Sequence, residues 1–238
     1  MITRTMNAPE LPRRAILLGM GALGANLLTG ACSRRSSSPT VSDAASYAAT
    51  SSNPTTDAEC TLVPELTEGP FYLDVDLVRR NITEGRPGTP LRLTMTVLGA
   101  DGCSPLHDVA VDVWHCDANG DYSPRGATFL RGTQITDKNG AVTFDTIYPG
   151  YYAGRAVHIH FKVHLDARTE VTSQLFFPDE LNNEVLTKGV YASRGRPDMP
   201  NGNDRIFGQS AGKTLVQPVN DGDGYAATLT VTVANSKA

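Results

Sequence analysis

The chain has 238 residues, a formal net charge of −4, and 40% hydrophobic against 19% charged residues. No Lys/Arg run or basic stripe is present, so nucleic acid is not an expected partner. The four cysteines are too few for a disulfide scaffold, so the chain needs a hydrophobic core.

Residues 1–32 read as an address. Arg13-Arg14 precede an apolar run from Ala15 to Leu28 that is too short and Gly-rich for a comfortable membrane span. Paired arginines before a weak apolar core point to twin-arginine export of a folded protein. The run ends in Leu28-Thr29-Gly30-Ala31-Cys32, which resembles a bacterial lipobox with Cys32 as the lipidated residue, although Thr29 stands where Leu is usual. The expected location is therefore extracellular, or the outer face of the cell membrane through a lipidated Cys32. Simple secretion and an uncleaved anchor are the alternatives. Residues 33–57 are rich in Ser, Thr, Ala and Pro and carry almost no large apolar side chain, the composition of a flexible tether. Residues 58–238 suffice for one domain. With Cys32 assigned to the signal, Cys60, Cys103 and Cys116 remain. Cys60 and Cys103 fall in loops and Cys116 ends a strand, so the expected disulfide is Cys60–Cys103, with other pairings open.

The dominant period in the domain is two. Leu91, Leu93, Met95 and Val97 alternate with Arg92, Thr94 and Thr96; Val109, Val111 and Val113 with Ala110 and Asp112. Val142 and Phe144 alternate with Thr143 and Asp145; Leu229, Val231 and Val233 with Thr228, Thr230 and Thr232. Turn signals at 99–102, Asn119-Gly120, Asn139-Gly140 and Pro149-Gly150 separate these runs. The pattern predicts a mostly β fold, a two-sheet prealbumin- or Ig-like β-sandwich. One short helix is expected at Asp179–Leu186, after Pro178. The segments 66–90 and 187–224 read as long irregular loops that wrap the sandwich and shape a pocket.

The chemistry concentrates at Tyr148-Pro149-Gly150-Tyr151-Tyr152, followed by Arg155 and a strand holding His158 and His160. Strand residues two apart share a face, so the two imidazoles project together, half of a metal site. A His-x-His pair alone is equally consistent with packing. The tyrosines favour ferric iron, because an ionised phenol is a hard donor.

With Tyr122 following the Asp117–Asp121 turn, the sequence resembles the intradiol ring-cleavage dioxygenases, the protocatechuate and catechol dioxygenase family. The likeness runs from Leu66-Thr67-Glu68-Gly69-Pro70-Phe71-Tyr72 to Gln174-Leu175-Phe176-Phe177. It implies a catalytic domain over 58–238, with Fe(3+) held by Tyr122, Tyr152, His158 and His160. It implies that Tyr152 leaves the metal and takes a substrate proton, that Arg155 stabilises developing negative charge, and that Gln174 holds Arg155 or the substrate. Gly69, Pro70 and Tyr72 would border the substrate pocket, or simply pack a turn. The implied substrates are O2 and a catechol, cleaved to a cis,cis-muconate-type diacid. Gly154 stands where some members carry Trp, which leaves ring packing and the preferred catechol open, as is the oligomeric state. Two rival readings are a noncatalytic prealbumin-like binding module and another metalloenzyme, such as a zinc hydrolase using His158 and His160.

Overall fold

The computed structural model describes residues 60–75, 77–166 and 170–234. The expected signal, Cys32 and tether lie outside the described residues. No helix among the described residues is long and apolar enough to cross a membrane.

Two four-stranded sheets face each other. The first has the order β4-β1-β8-β7: β1 is Pro90–Gly99, β4 Ala141–Ile147, β7 Val219–Asp221 and β8 Gly224–Val233. β1 pairs antiparallel with β4 and parallel with β8. Alternation does what the sequence predicts: Leu91, Leu93, Met95 and Val97 are at most 1% exposed and join Phe144, Val142, Leu229 and Val231 in the core. Each such side chain contributes about 1.5–3 kcal/mol of burial. The opposite face carries half-buried or exposed Arg92, Thr94, Thr96, Thr228 and Thr230.

The second sheet has the order β3-β2-β5-β6: β2 is Ala110–Trp114, β3 Arg131–Ile135, β5 His158–His164 and β6 Glu170–Phe176. Val111, Val113, Ile159, Phe161 and Leu175 face the core. On the other face, register places Arg131, Trp114, His160 and Gln174 in one row across all four strands. All four are buried, because the 64–82 segment crosses this face. Ser173 Oγ donates to the Pro64 carbonyl (2.6 Å) and Gln174 Nε2 to that of Thr67 (2.8 Å). Lys162 Nζ reaches Glu68 (2.5 Å) and lies 3.9 Å from the Tyr72 ring centroid, and Val78 bridges to Thr133 on β3. Cys60 and Cys103 are disulfide-bonded, with Cα atoms 5.7 Å apart, which ties the start of this strap to the β1–β2 turn.

The expected helix is α1, Asp179–Val185, with Leu186 as its C-cap. The 187–224 segment is not irregular throughout: it holds β7 and a second helix, α2, Arg205–Ser210. Six residues are too few for a helical period to show. The signal is the cap: Asp204 Oδ1 accepts from the amides of Ile206 (2.7 Å) and Phe207 (3.2 Å). Ile206 then packs in a small apolar cluster with Leu66, Ala156 and Phe176.

Candidate metal centre

His158 and His160 stand on the strap-side face of β5, both at most 3% exposed. Their Nε2 atoms are 3.1 Å apart. His158 Nδ1 lies 2.6 Å from the Ala156 carbonyl, which can only accept. The proton is therefore on Nδ1 and the Nε2 lone pair is bare. Burial, then the Arg155 cation, pushes His158 down to about 3; burial, then His158 and Arg155, holds His160 well below the usual imidazole range. Both rings are neutral donors at neutral pH.

The phenols come from two loops. In the turn before Tyr122, Asp117 Oδ1 accepts from the amides of Asn119 (2.8 Å) and Asp121 (3.1 Å). Gly120 sits there at φ +83°, in the left-handed region that glycine enters without strain. The Tyr152 loop leans on this turn. Gly150 N donates to the Asp117 carbonyl (3.2 Å), and a Cβ at Gly150 would overlap the carbonyls of Asp117 and Ala118. Tyr152 Oη is thereby brought to 3.3 Å from His158 Nε2, and Tyr122 Oη to 3.5 Å. Burial holds the Tyr122 hydroxyl well above the usual phenol range. Burial also raises Tyr152, opposed by the neighbouring Arg155 cation.

The Nε2 atoms of both imidazoles and the two phenol oxygens thus converge on one point. Adjacent lone pairs repel unless a proton or a cation lies between them. Buried phenols ionise only beside strong positive charge. The donor set fits a hard trivalent cation: ferric iron suits the phenolates, and two of them offset much of its charge. Among the described residues no group of three or more His, Cys, Asp or Glu is placed to hold a metal, so an ion here needs the phenols.

Around these four atoms the remaining candidates are divided. Arg155 Nε pairs with Asp204 Oδ2 (2.8 Å), Nη1 lies 3.3 Å from Tyr152 Oη, and Nη2 donates to Gln174 Oε1. Gln174 thus links Arg155 to Thr67 in the strap. Gly69, at φ +71°, lies over His160, where a Cβ would stand 3.4 Å from the ring. Pro70 is exposed next to it. Tyr72 turns away, giving its hydroxyl to Asp112 Oδ2 (2.7 Å) and its ring to Trp114. Phe71 does what Tyr72 does not, stacking on Tyr122 (4.3 Å between centroids, 10°) and meeting Tyr152 edge-on. Sequence reasoning passed over Phe71, and also Trp114, which stacks on His160 (4.9 Å, 10°). The register partnership of Trp114 with His160 was the available signal.

Several other Tyr, His and Cys side chains lie outside the centre. Tyr148 Oη donates to Asn182 (2.7 Å) and Tyr151 Oη to the Arg194 carbonyl (2.8 Å). His115 is a satisfied core histidine, bonded to the Cys116 carbonyl and Thr146. Cys116 is a buried thiol that burial pushes up to about 12. His164, at the far end of β5, pairs with Asp112 and Glu170.

A family model described as "Dioxygenase" matches residues 64–196, which hold every residue of this cluster except Asp204. The chain belongs to the intradiol ring-cleavage dioxygenase family. Its relatives include the catechol 1,2-dioxygenase of Acinetobacter baylyi, 30% identical over 141 residues, 47% of this chain and 45% of that protein. A chlorocatechol 1,2-dioxygenase of Cupriavidus pinatubonensis is 29% identical, over 56% of this chain and 62% of that one. The chain thus spans about half the length of the catechol dioxygenases it matches. Among solved structures, an intradiol ring-cleavage dioxygenase from Tetranychus urticae superposes with TM-score 0.70 at 32% identity, covering 74% of this chain and 95% of that one. The dioxygenase domain of a dioxygenase–carbohydrate-binding fusion from Streptomyces sp. SirexAA-E covers 74% of this chain and all of its own, with TM-score 0.60 and 30% identity.

Proposed function

We propose that this family member is a non-haem Fe(III) intradiol dioxygenase that opens catechol-type aromatics with O2 between the two hydroxyl-bearing carbons. The product is a cis,cis-muconate-type diacid, and both oxygen atoms enter it, so no further reductant is needed. The convergence of Tyr122, Tyr152, His158 and His160 on one point carries the reading. These four residues would hold the iron, which when bound would supply the Lewis acid for the catecholate. The two phenols differ in surroundings, which gives them different work. Tyr122 is stacked against Phe71 and is the permanent anchor. Tyr152 has Arg155 at 3.3 Å, a cation that favours its ionised oxygen, so it is the phenol that accepts a hydroxyl proton from the incoming diol. Arg155, fixed by Asp204 and Gln174, offers its remaining guanidinium face to negative charge that develops on the ring. Phe71 supplies an apolar wall beside both phenols.

Lignin-derived catechols met outside the cytoplasm are the substrates this reading favours. Arg13-Arg14, the Leu28–Cys32 lipobox and the Cys60–Cys103 disulfide support export, with Cys32 as a lipid anchor. A binding module has no use for four such donors around one point, and a zinc hydrolase has none for the phenols.

Oxygen uptake by iron-loaded protein against a panel of substituted catechols is the test, with product absorbance recorded. The expected result is a burgundy protein, from tyrosinate-to-iron charge transfer, that consumes one O2 per diol. Tyr152→Phe should keep iron yet lose about 10²–10⁴-fold in turnover, the usual worth of a general base. A colourless iron-loaded protein, or one inert to every catechol offered, would end the proposal.

A further inference from the structure

The two phenol-bearing loops meet through the Gly150–Asp117 bond, and a residue far along the chain joins them a second time. Arg194, in the loop after the Gly189–Tyr191 turn, sends one guanidinium nitrogen, Nη1, to two backbone carbonyls. One is Asn119, three residues before Tyr122; the other is Tyr151, immediately before Tyr152. A single Nη carries two N–H groups, so both bonds can be made at once. The contact is reinforced from both sides. The guanidinium carbon lies 4.4 Å from the Tyr151 ring centroid, and Tyr151 Oη donates to the Arg194 carbonyl at 2.8 Å. Gly120 is where the guanidinium needs room: a Cβ there would collide with Arg194 Nη1 and the Tyr151 carbonyl. The same segment grips the second loop higher up, where Tyr191 Oη donates to the Tyr148 carbonyl at 2.6 Å.

We infer that Arg194 is a positioning residue for the metal centre, a clamp whose one nitrogen sets the distance between the Tyr122 and Tyr152 loops. This rests on the iron reading above. The imidazoles need no such help, since both sit on one strand with register fixed by β2 and β6. The phenols do, because charge-assisted bonds to carbonyls are among the stronger available to a loop. Removing the clamp lets the oxygens drift relative to the nitrogens without unfolding the sandwich, because Arg194 is half-buried in a loop outside its strands.

The test compares wild type, Arg194→Met and Arg194→Lys, with Arg80→Met as a surface-arginine control from the exposed Arg80–Asp145 pair. Iron retention against a chelator, the position of the tyrosinate-to-iron band and the melting temperature of the iron-free protein are read. Arg194→Met should lose iron about 10–100-fold more readily, the range seen when supports of metal ligands are removed. Its band should shift while the iron-free protein melts near wild type. Arg194→Lys, with an ammonium that lacks the planar fork, should fall between the two, and Arg80→Met should match wild type. An unshifted band with unchanged retention overturns the inference. So does iron loss that merely tracks a lowered melting temperature in both Arg194 variants with the band in place. A wild type that takes up iron without colour instead defeats the functional proposal.

Discussion

The two sheets share an inner face built the same way and differ on the outside. Around β1 and β8 the outward residues include Arg92, Thr94, Thr96, Thr228 and Thr230, in partial or full contact with solvent, and only Thr232 at one end is buried among the outward threonines. Around β2 and β5 they are Arg131, Trp114, His160, Gln174 and Lys162, all at most 5% exposed. A sheet solvated on one side alternates cleanly; a sheet covered on both sides does not. The difference shows what the strap is for. By crossing the second sheet it removes water from a row of polar side chains and gives the imidazoles their neutral, lone-pair-bearing form. The first sheet keeps most of that face open to solvent and, among the described residues, carries no comparable cluster there.

The largest effect separating the two outer faces is expected at Trp114. It is 1% exposed, stacked on His160 and tilted against Tyr72. Trp114→Ala should destabilise the iron-free protein by about 3–5 kcal/mol, read by urea unfolding. It should also loosen iron, because one wall of the His160 ring is gone. A loss under 1 kcal/mol would mean that the strap does not pack as a true second layer.

That contrast also explains what the sequence made legible. β1, β2, β4 and β8 could be read from alternation, since apolar inward residues are interrupted by polar outward ones such as Thr94, Asp112, Thr143 and Thr230. β3 carries Arg131, Gly132 and Thr133, and β6 is buried at five of its seven positions, so neither shows a period of two. The metal-centre residues were reached through the resemblance, and from spacing alone only through His158 and His160. Phe71 was hidden because a strap with no regular structure gives no parity from which to decide whether Phe71 or Tyr72 faces inward. Arg194 was hidden because its partners are carbonyls, which sequence does not distinguish.

A middle-sized effect is expected where the strap is held by charge. Asp112 accepts from Tyr72 and His164 through Oδ2 (2.7 and 2.8 Å) and from Thr133 through Oδ1 (2.6 Å). Burial works against its ionisation, but the bonds from His164, Thr133 and Tyr72 bring the carboxyl below its ordinary value. His164 is likewise opposed by burial but raised overall by Asp112 and Glu170. The lowered acid contributes stability above about pH 4 that is lost as pH falls through its folded value. The raised base contributes fully below about pH 6.5 and loses its contribution as pH rises through its folded value. The pair is therefore strongest between those limits. Asp112→Asn should cost roughly 2–3 kcal/mol at pH 5.5. The difference between wild type and variant should shrink on the alkaline side, measured by unfolding across pH 5–9. A difference independent of pH would show that His164 meets the carboxylate only as a neutral imidazole. Buried His115, which burial pushes down to about 4, adds an acid-side loss common to both proteins, and it cancels in the difference.

The smallest effect belongs to the uncovered face. Thr230 on β8 is exposed, opposite Thr96 in the parallel register with β1. Thr230→Val keeps the β-branched shape and removes only a hydroxyl that faces water, so unfolding free energy should change by less than about 0.5 kcal/mol. Iron retention and the charge-transfer band should not move. If Thr230→Val instead stabilised the chain by 1 kcal/mol or more, the first sheet's outer face would have to be covered in solution. The asymmetry between the two sheets would then lie in what covers each face rather than in whether it is covered. Sedimentation of the same variant pair then shows whether a second copy supplies that cover, because only then does the mass change.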